Sequence, residues 1–378
     1  MEQALDARIV TMGGGGGFPA KCGVFSCFPA WKRRDISTIC RGRRRQGEYL
    51  MTFINAEKMP RKLKVCFSNS PANVTHATYR DLGFVACPDG TFDVYSAGSM
   101  GSNPQFGVKV AEGVAPEKIL YYIKAMWLTF RAYGNYENRG KARTRYMQEA
   151  LGGAENYRKA YQEKLREYWH PSSWIFPAVM MAAEIKKSRA KQAMEAARRE
   201  NVCWSRNSQD FIRLSGIRLA DSPRPETLAA LGEMMRTIDG TELRLAPDET
   251  AYIINLTGAE AEKILEATKE TAQTKFETSV SCIGASICQV GARDSQALLQ
   301  ACVKAVGEAQ ITDGALPQIH ISGCPSSCGT HQTGPMGFRG GVLADVNARH
   351  SRHLYFIWAE MRVQEKRRWD ASLVRCLK

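Results

Sequence analysis

The chain has 378 residues, 44% hydrophobic and 24% charged, enough to bury a large core and to form two or three domains. This composition excludes wholesale disorder. No window approaches the roughly 18 to 20 unbroken apolar residues of a spanning helix, and the N-terminus lacks a secretory signal, so a cytoplasmic protein without membrane contact is expected. The formal charge of +14 sits mostly at the ends: residues 1–46 hold nine Lys/Arg against three Asp/Glu and residues 341–378 eight against four, leaving 35 against 31 between them. A body so nearly balanced does not have nucleic acid as its main partner.

In chain order, residues 13–17 are a glycine run and residues 41–45 read Arg-Gly-Arg-Arg-Arg. Residues 1–46 and 341–378 show no clear helical or strand period, and both are read as basic extensions outside the core. Residues 61–69 alternate as a strand and residues 92–97 form another, followed by a glycine-containing loop at 98–104. A helix is expected over 116–131, with Ile119, Ile123, Met126, Trp127 and Phe130 on one stripe, and a second over 135–152. Residues 151–204 read as a helical connector. Residues 205–270 follow a β-α-β-β-α order, which suggests a ferredoxin-like α+β unit.

An offset of 254 positions lays Phe67-Ser68-Asn69-Ser70-Pro71-Ala72-Asn73-Val74 over Ile321-Ser322-Gly323-Cys324-Pro325-Ser326-Ser327-Cys328, and Gly83-Phe84 over Gly337-Phe338. Two related lobes are the natural inference. Where the second copy has Cys324 and Cys328, the first has Ser70 and Val74, so one lobe carries ligands and the other forms an opposite wall.

Twelve cysteines in such a chain point to metal or redox chemistry rather than a disulfide framework. Four stand apart as Cys282-x5-Cys288 and Cys324-x3-Cys328. Thiolates suit iron-sulfur clusters, zinc or Cu(I). The step from Cys282 to Cys288 is too long for a zinc knuckle, which favours a bulkier cluster, with a zinc protein carrying basic nucleic-acid-binding arms as the alternative. A folded, cofactor-free pseudo-enzyme is a third reading. Cys22, Cys27, Cys40, Cys66, Cys87, Cys203, Cys302 and Cys376 have no such grouping and read as buried or incidental thiols.

Lys62 and Lys64 stand two apart in an expected strand, so both project from one face, with Arg61 beside them. Such a face can hold a small oxyanion or a carboxylate-rich cofactor. A solvated edge strand is the other reading, and the strand's place in the repeat, opposite the one that leads into Cys324, favours the site.

Several segments taken in order resemble the sulfite/nitrite reductase hemoproteins. They are Met59-Pro60-Arg61-Lys62-Leu63-Lys64, Asp81-Leu82-Gly83-Phe84, Gly134-Asn135-Tyr136-Glu137-Asn138-Arg139-Gly140-Lys141-Ala142-Arg143, Cys282-x5-Cys288 and Gly323-Cys324-Pro325-Ser326-Ser327-Cys328-Gly329. The resemblance covers roughly residues 47–340. It implies an α+β fold of two pseudo-repeated siroheme/Fe-S reductase lobes with one ferredoxin-like unit between them: a first siroheme lobe over 47–150 and a [4Fe-4S]/siroheme lobe over 271–340.

The same resemblance implies a [4Fe-4S] cluster on Cys282, Cys288, Cys324 and Cys328, with Cys328 shared by the siroheme iron. It further implies sulfite or nitrite as substrate, a ferredoxin-like electron donor, and Lys62 and Lys64 as the groups that bind and protonate the anion. Arg143, Arg139 and Asn138 match a stretch that contacts the macrocycle's carboxylates, and the loop at 98–103 matches a glycine-rich family segment. Residues 1–46 and the stretch after Gly340 do not match the family, and Leu243-Arg244-Leu245-Ala246-Pro247-Asp248 stands where many members have a Thr-x-Arg-Gln turn. A member altered at both ends, with activity affected accordingly, is therefore expected.

Overall fold

The computed structural model describes residues 19–25, 59–68, 73, 75–168, 212–218, 225–239, 241–245, 250–268, 272, 274–311, 315–344, 350–357 and 373–375. The glycine run, the Arg-Gly-Arg-Arg-Arg stretch, most of the Ser/Pro turn of the first repeat copy and the second expected connector helix lie outside them. The chain divides into two units, Met1–Ser99 with Pro104–Lys187, and Met100–Asn103 with Ser188–Lys378.

The first unit is built on a five-stranded sheet of β1 (Pro19–Phe25), β2 (Leu63–Ser68), β3 (Leu82–Ala86), β4 (Phe92–Ser96) and β5 (Val108–Val114), in that order. The first three strands are parallel and the last two antiparallel. The burial follows from this arrangement. Every residue of β3 is buried, and in β2 every residue but Lys64, whereas β4 alternates between buried and partly exposed, because parallel strands are covered on both faces and antiparallel ones need not be. The Phe67 and Phe84 rings stack across β2 and β3 with centroids 4.7 Å apart, and Phe92 meets Phe84 edge-on at 6.3 Å.

Helix α1 (Ile119–Tyr133) lays Ile119, Ile123, Met126, Trp127 and Phe130 into this core, as the apolar stripe predicts. The expected helix over 135–152 is corrected to a 3-10 turn at Arg139–Lys141 and a short α2 (Tyr146–Ala150). Polar side chains compete for the backbone there. Asn135 Oδ1 accepts from the amides of Glu137 and Asn138, and Asn138 Oδ1 accepts from Gly140 N at 2.9 Å.

The start of the expected connector is also corrected. Helix α3 (Ala154–Tyr168) buries Tyr157 and Tyr161 completely in the first core. Tyr161 Oη donates to Tyr122 O at 2.7 Å, and the Tyr157 hydroxyl lies 2.7 Å from Ser96 Oγ. Both of the supposed basic ends contain strands. Strand β1 pairs along β2, as Cys22 with Val65 and Phe25 with Ser68, and residues after 340 contribute strands described below. Backbone hydrogen bonds to an open strand edge, not period-two alternation, specify such segments.

The second unit holds the compact α+β element that the sequence suggests. It comprises β6 (Ile212–Arg218), α4 (Pro225–Thr237), β7 (Glu242–Leu245), β8 (Thr250–Leu256) and α5 (Gly258–Ala267), with an antiparallel sheet ordered β6-β8-β7. Leu231, Ile238, Ile253, Leu256, Ile264 and Leu265 form its core. A capping box starts α5, with Glu260 N donating to Thr257 Oγ1 and Thr257 N to Glu260 Oε2.

Then follow β9 (Val280–Ser281), α6 (Ser295–Glu308), β10 (Ile319–Ser322), β11 (Met336–Ala344), β12 (His350–Ile357) and β13 (Leu373–Arg375), with the sheet ordered β13-β12-β11-β10-β9. Strands β9 to β11 are parallel and β11 to β13 antiparallel, the sequence of directions found from β1 to β5. The registers agree as well. Val65 pairs with Leu82 and Phe67 with Phe84 in the first sheet; Ile319 pairs with Met336 and Ile321 with Phe338 in the second. Each pair is displaced by the same 254 positions that relate the sequence copies.

Tyr161→Ala should lower the unfolding free energy of the first unit by about 3–5 kcal/mol, since it empties a fully buried aromatic position. Urea titration followed by circular dichroism measures this, and a helix that only linked domains would show no such loss.

Candidate functional site

The four cysteines of the paired motif sit on two turns of the second unit. Cys282 directly follows β9 and Cys324 follows β10 by one residue, so the parallel pairing of Ser281 with Ile321 brings these two turns side by side. The Cys282 amide donates to Ile321 O at 3.0 Å, and Gly323 N donates to Cys282 Sγ at 3.1 Å. Cys288 is tied back through its amide to Gly284 O at 2.9 Å, while the amides of Ala292 and Arg293 donate to Gly323 O.

The approach is too close for β-carbons. A Cβ at Gly329 would stand 1.9 Å from Ile321 O and 3.0 Å from Cys282 N, and one at Gly323 would stand 2.6 Å from Arg293 O and 2.9 Å from Gly284 Cα. Both cysteine turns therefore pack backbone on backbone. Ser327 and Thr330, on either side of the Cys328-Gly329 pair, have left-handed φ values of 58° and 55°. Non-glycine residues hold that conformation only where the surroundings impose it.

Cys324 is buried, Cys282 and Cys288 are partly exposed, and Cys328 is exposed. Cys282, Cys288, Cys324 and Cys328 are all free of disulfides. Four soft donors on two glycine-packed turns, one sulfur already accepting an amide hydrogen bond, suit an iron-sulfur cluster. Among the described residues, no three His, Cys, Asp or Glu side chains converge as a single-ion site. Of the remaining thiols, burial pushes those of Cys66, Cys87 and Cys302 up, as incidental core cysteines should be.

The sequence did not single out His331, three residues after Cys328. It is 1% exposed, its Nδ1 has no hydrogen-bond partner, and burial, then Arg339 and His320, lower its pKa to about 3. It is a neutral imidazole in the wall of the cysteine turn. The loop tip Met100–Asn103 is grouped with this second unit: Gly101 N donates to Gln332 Oε1 at 3.0 Å, and Gln332 Nε2 donates to Gly101 O at 2.9 Å.

The first unit carries a group of cations around one carboxylate. Lys62 immediately precedes β2 and Lys64 is its second residue. Burial, then the charge of Arg143, lowers the Lys64 ammonium to about 8; Arg80 and Lys62 act in the same direction and Asp81 opposes them. Burial also lowers the Arg61 guanidinium, followed by repulsion from Arg139 and Arg143, and its Nη1 is buried without a partner. Positive groups that crowd one another in a partly dry setting form a receptor for anions.

Asp81 is completely buried. It accepts Lys64 N at 2.8 Å, Arg143 Nη2 at 3.0 and 3.1 Å on its two oxygens, and the Thr144 hydroxyl. Arg143 thus has an internal partner that spacing did not reveal. Arg139 and Asn138 are exposed, and the Asn138 oxygen caps the 3-10 turn. The signal for Asp81 was present in the sequence: an acidic residue directly before five residues that read as a fully apolar strand needs a partner.

Residues 41–168 match the family model described as the nitrite and sulphite reductase 4Fe-4S domain. The matched segment lies before the four-cysteine pattern. The chain is 23% identical over 309 residues to a sulfite reductase [NADPH] hemoprotein beta-component of Chromohalobacter salexigens, covering 76% of this chain and 51% of that protein. It is 24% identical over 315 residues to the protein of the same name from Bacillus subtilis, again covering 76% and 51%. Against a ferredoxin--nitrite reductase of Synechococcus elongatus it is 24% identical over 306 residues, covering 75% and 54%.

In tertiary structure it is similar to the Mycobacterium tuberculosis NirA protein, with a TM-score of 0.68 and 18% identity over 96% of this chain and 64% of that one, a likeness of fold. These comparisons liken the chain to sulfite and nitrite reductases, and it spans about half the length of the curated relatives it matches. Among the described residues, no helix is long and apolar enough to cross a membrane.

Gly329→Ala should cost about 1–3 kcal/mol and sharply reduce the iron and acid-labile sulfide retained after anaerobic reconstitution. Gly307→Ala, in α6 with nothing within 4 Å of the new carbon, should reconstitute as the parent does.

Proposed function

We propose that this chain acts in the siroheme- and [4Fe-4S]-dependent reduction of sulfite or nitrite. The observation that carries the reading is the backbone contact that joins the two cysteine turns, Gly329 on Ile321 O and Gly323 N on Cys282 Sγ. Cys282, Cys288, Cys324 and Cys328 would hold the cluster. Cys328, the exposed member of the set, would be the thiolate shared with the siroheme iron. When bound, the cluster and siroheme would relay electrons from the donor to the substrate anion.

The chain's own groups do the rest. Lys62 and Lys64 attract the anion and orient its oxygens. With a pKa lowered to about 8, the Lys64 ammonium is a better proton donor than an ordinary lysine while still charged near neutrality, which suits N–O or S–O bond cleavage that consumes protons. Arg139 and Arg143, with Asn138, would face the carboxylates of the macrocycle, Arg143 through the part of its guanidinium that Asp81 does not take. The electron donor would be ferredoxin or a similar protein, in keeping with the name of the Synechococcus relative, while the Bacillus and Chromohalobacter relatives are named for NADPH. Thiolate ligation suits a reducing compartment such as the cytoplasm.

Anaerobically purified protein should contain iron and acid-labile sulfide in a ratio of about 5:4, four irons from the cluster and one from the siroheme, and absorb as a tetrapyrrole. Colourless protein with stoichiometric zinc would overturn the assignment. Cys328→Ser should abolish the coupling between cluster and haem signals in electron paramagnetic resonance, whereas Lys62→Ala and Lys64→Ala should retain both cofactors and lose at least about tenfold in turnover; full turnover in both lysine variants would remove them from the mechanism. Affinity for sulfite or nitrite should decline as pH rises through about 8, where Lys64 loses its proton, as a binding titration across pH would show.

A further inference from the structure

The cations of the first unit need a reason to stay together. Lys64, Lys62, Arg61, Arg80, Arg139 and Arg143 are close enough for repulsion among them to add to burial in lowering both Lys64 and Arg61. One carboxylate sits among them, completely buried and belonging to neither the cysteine set nor the lysine pair. Its two oxygens accept Arg143 Nη2, the Thr144 hydroxyl and the backbone amide of Lys64 at the start of β2. One side chain thereby ties three separate stretches: the entry to β2, the entry to β3 and the turn before α2.

We propose that Asp81 is a positioning residue, holding Lys64 and Arg143 at a fixed separation on one carboxylate so that both cations are presented together to an anionic ligand. The geometry is specific to this role. A carboxylate needed only to neutralise charge would be served at the surface, where solvent screens it, but Asp81 is buried from solvent and accepts from the main chain of one cation and the side chain of the other. It also offsets part of the repulsion that Lys64 feels. The charged groups acting on Lys64 are Arg143, Asp81, Arg80 and Lys62, and Asp81 is the member of this set that favours the charged ammonium. Without it, burial and three cations would all press Lys64 toward neutrality at lower pH.

This inference rests on the reading that Lys64 meets the substrate anion, and the experiment separates the two. Competitive acetylation of the full chain across pH, read at the Lys64 peptide by mass spectrometry, gives the pH of half-reactivity of that amine without requiring turnover. The parent should titrate near 8. Asp81→Asn, nearly isosteric, should move the midpoint down by about one pH unit, and Arg143→Gln, which leaves Asp81 to act on Lys64 unopposed by its partner, should move it up by a similar amount.

Sulfite or nitrite alone should protect Lys64 from acetylation in the parent and protect it several-fold less in Asp81→Asn. If Asp81→Asn does not fold, judged by circular dichroism, the Arg143→Gln midpoint decides. A midpoint unmoved in the folded variants overturns the role of Asp81, whatever the anions do. Midpoints that move as expected while neither anion protects the parent leave Asp81 in its role and remove Lys64 from the proposed substrate site.

Discussion

Cys282 and Cys328 share a neighbourhood because the chain after β10 turns back across its own strand, and it can do so only where residue 329 has no β-carbon. The Gly329 Cβ position coincides with the Ile321 carbonyl that is already accepting the Cys282 amide. Three backbone segments thus converge on one point, and the sulfurs follow from where their main chains are held. Gly323 completes the contact by placing its amide on Cys282 Sγ. Two serines brace the same backbone, Ser295 Oγ donating to Cys282 O at 2.6 Å and Gly329 N donating to Ser322 Oγ at 3.1 Å.

The same strand plan is used in both units, with different chemistry at opposite ends of the corresponding strands. In each sheet a parallel pair in matching register is followed by antiparallel strands, offset by 254 positions. In the second unit the first strand of this pair, β10, leads into Cys324 and Cys328. In the first unit, the corresponding strand begins beside Lys62 and Lys64. The parallel arrangement accounts for both uses, since strands buried on two faces can expose functional groups only at their ends, where the connecting turns begin.

Asp81 shows how the first unit tolerates this concentration of charge. Buried cations repel and are poorly solvated, so a cluster of them is stable only with an internal counter-charge that is itself fully hydrogen-bonded. Asp81 meets both conditions, accepting from main chain, guanidinium and hydroxyl together. Arg143, whose motif suggests a ligand contact, is accordingly an internal partner as well as a surface group, with a side chain 19% exposed.

Much of this was legible locally. The stripe from Ile119 to Phe130, the β-α-β-β-α order of the central element and the cysteine spacing are each properties of a short window, where period and ligand type act directly. The segments misread as basic extensions contain β1, β12 and β13, and the supposed connector contains α3, whose tyrosines close the first core. Their structure depends on partners far along the chain: an open strand edge or an apolar surface has no signature in the segment that will cover it. By itself the sequence determined which groups are present, four soft thiolates, paired lysines and an acidic residue at a strand entry. Only the tertiary structure decided that Gly329 must lie on Ile321 and that Asp81 must hold Arg143, because hydrogen bonds and steric limits between residues distant in sequence are set by the distances that folding creates.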